Sequence, residues 1–326
     1  MCIRDRVYEV NAGRNTRVIT SLGTLKPTYG VPRTMWNGIK ALEEQQPGLI
    51  IDINGLRGFS ALQITETLKP LWPGLKPARI SFPGMQSAQE VYTEPMARSL
   101  AVPENRKKLA DLIRPLAKDV GVVGVPAILG IHASHDVQQH LKELIGRPLF
   151  EIPTMPPSIP GLRIRETFEM KLPEKGVRLK YQNRVSQIIR DRNTFLLVIG
   201  SNTAVSRIRA RGIILATGRF LGKGLYADRK LIREPLLNLP VYQPGLRTEW
   251  HRFNFMDPRG HIINRAGLEI DRHFRPLDKT GKPVFDSLFA AGSILAHQDW
   301  MRMKCGSGLA MATAYAAVKA FLLQSS

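Results

Sequence analysis

The sequence predicts an α/β chain, and three observations carry that expectation. Between residues 48 and 153, short apolar runs alternate with stretches of helical apolar spacing, the pattern of strands and helices in turn. Further on, three strand-like runs precede the apolar run Ile213-Ile214-Leu215-Ala216-Thr217-Gly218. Near the end, Leu288-Phe289-Ala290-Ala291-Gly292 is again a strand closed by glycine, and Gly306-Ser307-Gly308 opens an Ala-rich helical stretch. A length of 326 residues suits two domains, and 43% hydrophobic residues suffice for a sizeable core. Gly at 27 and Pro at 23 are ordinary, which excludes collagen-like and low-complexity chains.

The elements follow in order. Residues 49–53 form an apolar run closed by Asn54-Gly55, a strand and its turn. Ser60 stands where a helix N-cap belongs, ahead of Leu62, Thr65 and Leu68, with the helix ending near Lys69. Residues 78–82 read as a second strand, stopped by Pro83-Gly84. Pro103 and Glu104 open a helix to about Val120, with Leu109, Leu112, Ile113 and Leu116 on one face and Pro115 placed to kink it. An apolar run at 121–131, a helix at 136–144 and a strand at 149–152 complete the alternation, ended by Pro153. Then the texture changes. A charged helix is expected at 161–171, strands at 177–181, 184–190 and 194–199, a turn at Gly200-Ser201-Asn202, and a pairing return at 204–210. The last helix runs from Gly306 to about Leu323.

Met1 to Arg6 resemble a translated sequencing adaptor, which gives the expectation that the chain is a fragment of a longer one. No signal-peptide pattern opens it, and no uninterrupted run of 18 apolar residues predicts a membrane span. Cys2 and Cys305 are too few for a disulfide framework or a Cys-only zinc site.

Charge is uneven. Lys and Arg number 47 against 27 Asp and Glu, a net +20. Residues 1–153 carry a net +5 and residues 154–326 a net +15, with 19 of the latter's 28 basic residues Arg. Guanidinium favours fixed contacts to phosphate or carboxylate, and such a field attracts anions. A merely basic surface is the plain alternative. Nucleic acid is not expected, because no aromatic stacking run or binding motif accompanies the charge.

Chemistry concentrates late in the chain. A strand ending Ala216-Thr217-Gly218 lets backbone pass close beneath a bulky ligand, outside the carboxyl end of a strand where α/β crevices form. Gly292 and Ser293 repeat that arrangement. Gly306, Ser307 and Gly308 open a helix whose first amides are free and whose dipole end is positive. The plain alternatives are a buried strand with a tight turn and an Ala-rich packing helix. The last motif is not a dinucleotide fingerprint, because Met311 stands where a third glycine belongs and no strand runs into it. Arg219 and Arg233 are candidate phosphate or anion holders, the alternative being pairing with Glu234 or a carbonyl. His297, between the two glycine-closed units, is a weak candidate base, and no catalytic residue is otherwise assigned. His132, His135 and His140 cluster without a metal-ligand pattern, so no metal is expected. Cys305 precedes the last helix without a CxxC partner.

The two glycine-closed units, about 75 residues apart in this order, resemble the C-terminal half of two-domain flavoproteins related to glutathione reductase and fumarate reductase. Longer stretches are similar to the B-subunit family of anaerobic glycerol-3-phosphate dehydrogenases. These are Ile152-Pro153-Thr154-Met155-Pro156-Pro157-Ser158 with Gly161-Leu162-Arg163, Leu215 to Phe220 with Gly222 and Gly224-Leu225, Ile232-Arg233-Glu234-Pro235, Leu288 to Ser293, and Cys305 to Gly308.

The resemblance implies an FAD/NAD(P)-binding-like fold with a β-meander crossover and an inserted α/β domain, its N-terminal dinucleotide-binding βαβ missing. Implied regions are a remnant of the flavin-domain connection at 1–40, the inserted, substrate-side domain at 41–153, and the C-terminal part of the flavin domain at 154–326. It implies a flavin, FMN or FAD, held by Ala216, Thr217, Gly218, Gly292, Ser293, Gly306, Ser307 and Gly308. The implied reaction oxidises sn-glycerol 3-phosphate to dihydroxyacetone phosphate, with electrons passed to a quinone. In this family substrate oxidation is usually assigned to the larger, catalytic A subunit, which leaves the smaller one as a second flavin carrier. Implied partners are that catalytic A subunit and a membrane-bound iron–sulfur subunit, since no Cys-rich ligation exists here. The implied location is the cytoplasmic side of the membrane, held there through partners. The alternative is a non-catalytic, flavoprotein-like interaction subunit. Against the family pattern, the Gly-rich C-terminal loop is interrupted by Ser307, and residues 297–304 are bulky and basic.

Overall fold

The chain divides into two compact units, Met1–Leu179 and Lys180–Ser326. The computed structural model describes residues 8–10, 13–85, 90–201 and 204–324. The adaptor-like start, Cys2 and Asn202 lie outside the described residues.

The first unit opens with two short antiparallel ribbons that the apolar pattern does not foretell. β1 (Tyr8–Val10), β2 (Thr16–Ile19), β3 (Leu25–Thr28) and β4 (Gly30–Pro32) pair as β1 with β4 and β2 with β3. After α1 (Trp36–Glu43) come β5 (Gly48–Ile53), α2 (Ala61–Leu68), β6 (Leu75–Ile80), α3 (Thr93–Ser99), α4 (Pro103–Ile113), β7 (Val122–Pro126), α5 (Ser134–Ile145), β8 (Leu149–Ile152) and α6 (Ile159–Glu174).

β5 to β8 form one parallel sheet in the order β6-β5-β7-β8. The three strands away from the β6 edge are buried at every residue, as both-face burial requires of apolar runs. β6 carries Pro77, which an edge tolerates because one side of its backbone needs no ladder donor. Phe150 fixes the packing around it. A Cβ on Gly38 or on Gly124 would run into its ring, so both positions need glycine for close approach. Ser60 caps α2 as expected, accepting from the Gln63 amide at 3.3 Å. The expected helix to Val120 ends at Ile113, where Pro115 turns the chain into a 3-10 segment, Arg114–Ala117.

α6 is tied to this unit by Arg163. Its guanidinium meets both Glu151 oxygens at 2.6 and 2.7 Å, while Nε donates to the Gly130 carbonyl at 2.9 Å. Glu151, on β8, also accepts from the Leu129 amide and the Thr34 hydroxyl. The pair is buried, yet Glu151 holds partners on both oxygens, which is what makes such burial tolerable.

In the second unit β9 (Val185–Asp191), β10 (Thr194–Ser201) and β11 (Ala204–Ala210) form an antiparallel meander. The strand expected at 177–181 is absent. The meander is built instead from the three runs after it, because each strand needs a neighbour in register and, among the described residues, 177–181 has no ladder partner. β12 (Ile213–Leu215) follows, then β13 (Tyr226–Ala227) paired with β14 (Ile232–Arg233). β15 (Leu288–Ala290) pairs with β12 in parallel. α7 (Trp300–Met303) and α8 (Gly306–Gln324) close the chain.

α8 packs one face on β15 through Ala317, Ala320 and Phe321 against Phe289 and Ala291. One described helix has the length and composition of a membrane span, although no uninterrupted apolar run marks it in the sequence. α8 has 19 residues at a mean hydropathy of 1.3, long and apolar enough by length and composition to cross a membrane, with Thr313 and Lys319 interrupting its apolar residues. Only 17% of that window is buried.

Candidate functional site

The carboxyl ends of β12 and β15 lie side by side because the two strands pair in parallel, and the Ala291 amide donates to the Leu215 carbonyl at 2.9 Å. This brings Ala216-Thr217-Gly218 beside Gly292-Ser293. Gly218 turns the chain at φ +69, and a Cβ there would stand 3.5 Å from the Ser293 hydroxyl. Gly292 also has positive φ, +78, with open space where a side chain would be. Both turns are left-handed, which glycine adopts without steric cost.

Gly222 and Gly224 fold back under the first turn. A Cβ on Gly222 would fall on the Thr217 carbonyl, and one on Gly224 on the Gly218 carbonyl. The Thr217 hydroxyl is buried there with no hydrogen-bond partner among the described residues. A buried polar group is ordinarily satisfied, so a missing partner needs an explanation.

α8 reaches this point through Thr313. Its hydroxyl accepts from the Gly292 amide at 2.8 Å and donates to the Leu309 carbonyl at 2.6 Å. At the helix start, Gly306 packs on the Trp300 ring, where a Cβ would stand 3.2 Å away. Ser307 and Gly308 are exposed, and nothing lies within 4 Å of a Cβ built on Gly308.

The basic candidates are placed differently. Arg219 donates through Nη1 to the Asn264 carbonyl and through Nη2 to the carbonyls of Leu295 and Gln298, at 3.0 and 2.8 Å. Burial pulls its pKa down to about 10, opposed by the nearby Asp299 charge. The expected anion contact is thus replaced by three carbonyls, which make Arg219 a brace for the loops at 264 and 295–298. Arg233 pairs with Asp228 at 2.8 Å and stays half-exposed. Its neighbour Glu234 is buried and collects the amides of Leu236, Leu237 and Leu239. His297 has φ +65, pairs with Glu269 at 2.8 Å and lies tilted against Tyr242, with ring centroids 4.1 Å apart. His132 pairs with Glu166 at 2.9 Å, and among the described residues no three His, Cys, Asp or Glu side chains gather for a metal.

The pieces fit a flat, polar-edged group such as a flavin. Two glycine turns leave backbone bare at adjacent strand ends, a cradle that any Cβ at Gly218 or Gly292 would narrow, and Thr217 holds an unspent hydroxyl. Thr217 was a candidate from the sequence, but the state of its hydroxyl and the buried Glu151–Arg163 pair were not legible there, because partners and their absence are properties of the folded chain.

Residues 10–309 match the family described as FAD binding domain. The chain is 26% identical over 314 residues to the B subunit of the anaerobic glycerol-3-phosphate dehydrogenase of Yersinia pestis, covering 93% of this chain and 72% of that protein. It is 28% identical over 332 residues to the Vibrio cholerae protein of the same name, covering 95% and 72%. The Aliivibrio fischeri protein of that name is 26% identical over 339 residues, covering 96% and 73%.

Proposed function

The chain belongs to the FAD binding domain family, and on that premise we propose that it is a flavin-carrying subunit of an anaerobic glycerol-3-phosphate dehydrogenase. The observation behind the reading is the pair of glycine turns at adjacent parallel strand ends, with the partnerless Thr217 hydroxyl in the first. A flavin bound there supplies acceptance of a hydride from an alcohol carbon and onward release of electrons.

The chain's own residues position and polarise. Gly218 and Gly292 admit a ring or pyrophosphate close to backbone amides. Thr217 offers a donor and an acceptor to one polar edge. The exposed start of α8 at Ser307 and Gly308 turns its positive dipole end outward. The net +15 of residues 154–326 draws in phosphate-bearing molecules, cofactor and substrate alike. The relatives' names support glycerol 3-phosphate as the substrate and a multi-subunit dehydrogenase as the setting; within this proposal sn-glycerol 3-phosphate is oxidised to dihydroxyacetone phosphate, and electrons leave to a quinone through a catalytic A subunit and an iron–sulfur subunit. In this proposal the chain sits peripherally at the membrane through those partners.

The test is the visible absorbance of the purified protein, followed by acid release and identification of the cofactor. The expected result is a flavin spectrum, bleached by glycerol 3-phosphate only when the catalytic A subunit is present. A colourless protein that takes up neither FAD nor FMN overturns the reading in favour of a cofactor-free interaction subunit.

A further inference from the structure

We propose that the loop at residues 251–261 of the second unit is a membrane-contact loop, inserting Phe253, Phe255 and Met256 into an anionic lipid surface. Phe253 is fully exposed, Phe255 is 84% exposed and Met256 78%. Single exposed apolar residues are ordinary on any protein, but three large ones within four positions form a patch.

The loop is not slack. The Arg252 amide donates to His261 Nδ1 at 3.1 Å, and His261 Nε2 donates to the Phe255 carbonyl at 2.9 Å, so one neutral imidazole ties both limbs. Arg252 Nε donates to the Gly260 carbonyl at 3.1 Å, and the Met256 amide donates to the Asn254 side chain at 3.0 Å. The Gly260 amide closes the turn on the Asp257 carbonyl at 2.9 Å. These bonds fix the turn from within, and the three apolar side chains stand exposed.

The neighbourhood is cationic and apolar together. Gly260 lies against α7, where a Cβ would come within 2.8 Å of Asp299 and 3.3 Å of Arg302. α7 exposes Met301, Arg302 and Met303, and Lys304 is exposed after it. Asp257 is matched by Arg259 at 2.7 Å, and Asp299 is buried. Arg252, Arg259, Arg302 and Lys304 outnumber Asp257 and Asp299, which leaves the loop and the α7 segment beside Gly260 with a cationic surplus.

That chemistry selects the occupant. Protein interfaces anchor aromatic residues in facing pockets with a dry centre. An apolar tip that stands in solvent on a loop with a cationic surplus beside it instead matches a deformable medium with apolar depth and negative headgroups. The inference does not rest on the flavin reading, and flavin content plays no part in its test.

The experiment is flotation of the full chain with phosphatidylcholine vesicles, with and without about 30% phosphatidylglycerol, a composition chosen to supply surface charge. Insertion is read separately from the emission of Phe253→Trp minus that of the wild type. The expected result is binding to the anionic vesicles, a blue shift of that difference emission, and at least about tenfold weaker binding by the Phe253→Ser/Phe255→Ser double variant. The double variant should melt like the wild type, since both side chains are in solvent. Arg302→Gln should weaken binding to anionic vesicles and leave binding to neutral ones unchanged. Absence of vesicle binding overturns the proposal. So does binding that the double variant retains, or a difference emission that vesicles leave unmoved, either of which points to charge alone or to a protein partner.

Discussion

Thr217 and Arg219 stand two residues apart, and each buries a polar atom without a partner among the described residues, Oγ1 in one and Nε in the other. They meet that cost differently. Arg219 spends its other nitrogens on the carbonyls of Asn264, Leu295 and Gln298, and so converts a desolvated charge into a brace. Thr217 has no such return. A buried hydroxyl left unbonded costs about 1–3 kcal/mol, so the ligand-free protein carries a local deficit that a bonded ligand removes. Thr217→Val keeps the shape and deletes the deficit. It is expected to stabilise the ligand-free protein by about 1 kcal/mol in urea unfolding while weakening flavin binding several-fold in titration. A loss of stability in the ligand-free variant would mean that the hydroxyl serves the fold. Ala216-Thr217-Gly218 was legible in the sequence because a glycine closing an apolar run is a local signal. The role of Arg219 was not, because its acceptors lie 45 to 79 residues away along the chain.

Elements read well wherever one short window held the whole cause. β5, β8, β12 and α8 are apolar runs or small-residue stretches with punctuation at their ends, and they lie close to the expected positions. α2 carries its own cap in Ser60. The ribbons β1 to β4 were not legible, since each is three or four residues long and exists only through pairing with its partner strand. The same reasoning explains the missing strand at 177–181, which has strand-like composition and no neighbour. The attachment of α8 also rests on tertiary contact. Its moderately apolar sequence marks a helix, but its register on β15 depends on the Thr313 hydroxyl meeting the Gly292 amide. Thr313→Val deletes that acceptor and leaves an N–H at the glycine turn without its bond. It is expected to cost about 1–3 kcal/mol and to speed hydrogen exchange at the Gly292 amide, while Thr313→Ser restores both. Unchanged exchange at Gly292 in the valine variant would show that helix and turn are held by packing alone.

At the scale of the whole chain, charge is the property that sequence states fully and structure only distributes. The carboxylates are largely occupied locally. Asp228 is held below the usual carboxylate range by the amides of Leu231 and Lys230, with Arg233 beside it, and Asp278 likewise by the Thr280 hydroxyl and the Lys282 amide. Glu151 and Asp52 are taken by Arg163 and Arg79. Against 27 acidic residues, 47 basic ones leave a surplus that no internal pairing can absorb, and a net +20 repels itself most in the compact state. Salt acts on two opposed terms. It weakens the exposed ion pairs, each worth about 0–1 kcal/mol, and it screens the repulsion over a Debye length that falls to about 8 Å at physiological strength. With so large an imbalance the second term should win. The melting midpoint is therefore expected to rise as sodium chloride goes from about 20 to 200 mM, where screening shortens most. Phosphate should raise it further at equal ionic strength, because an anion bound only by the folded form adds stabilisation by mass action. A midpoint that falls with salt would put the surface ion pairs in control. Equal effects of chloride and phosphate would leave the field diffuse, with no folded site that distinguishes the phosphate group.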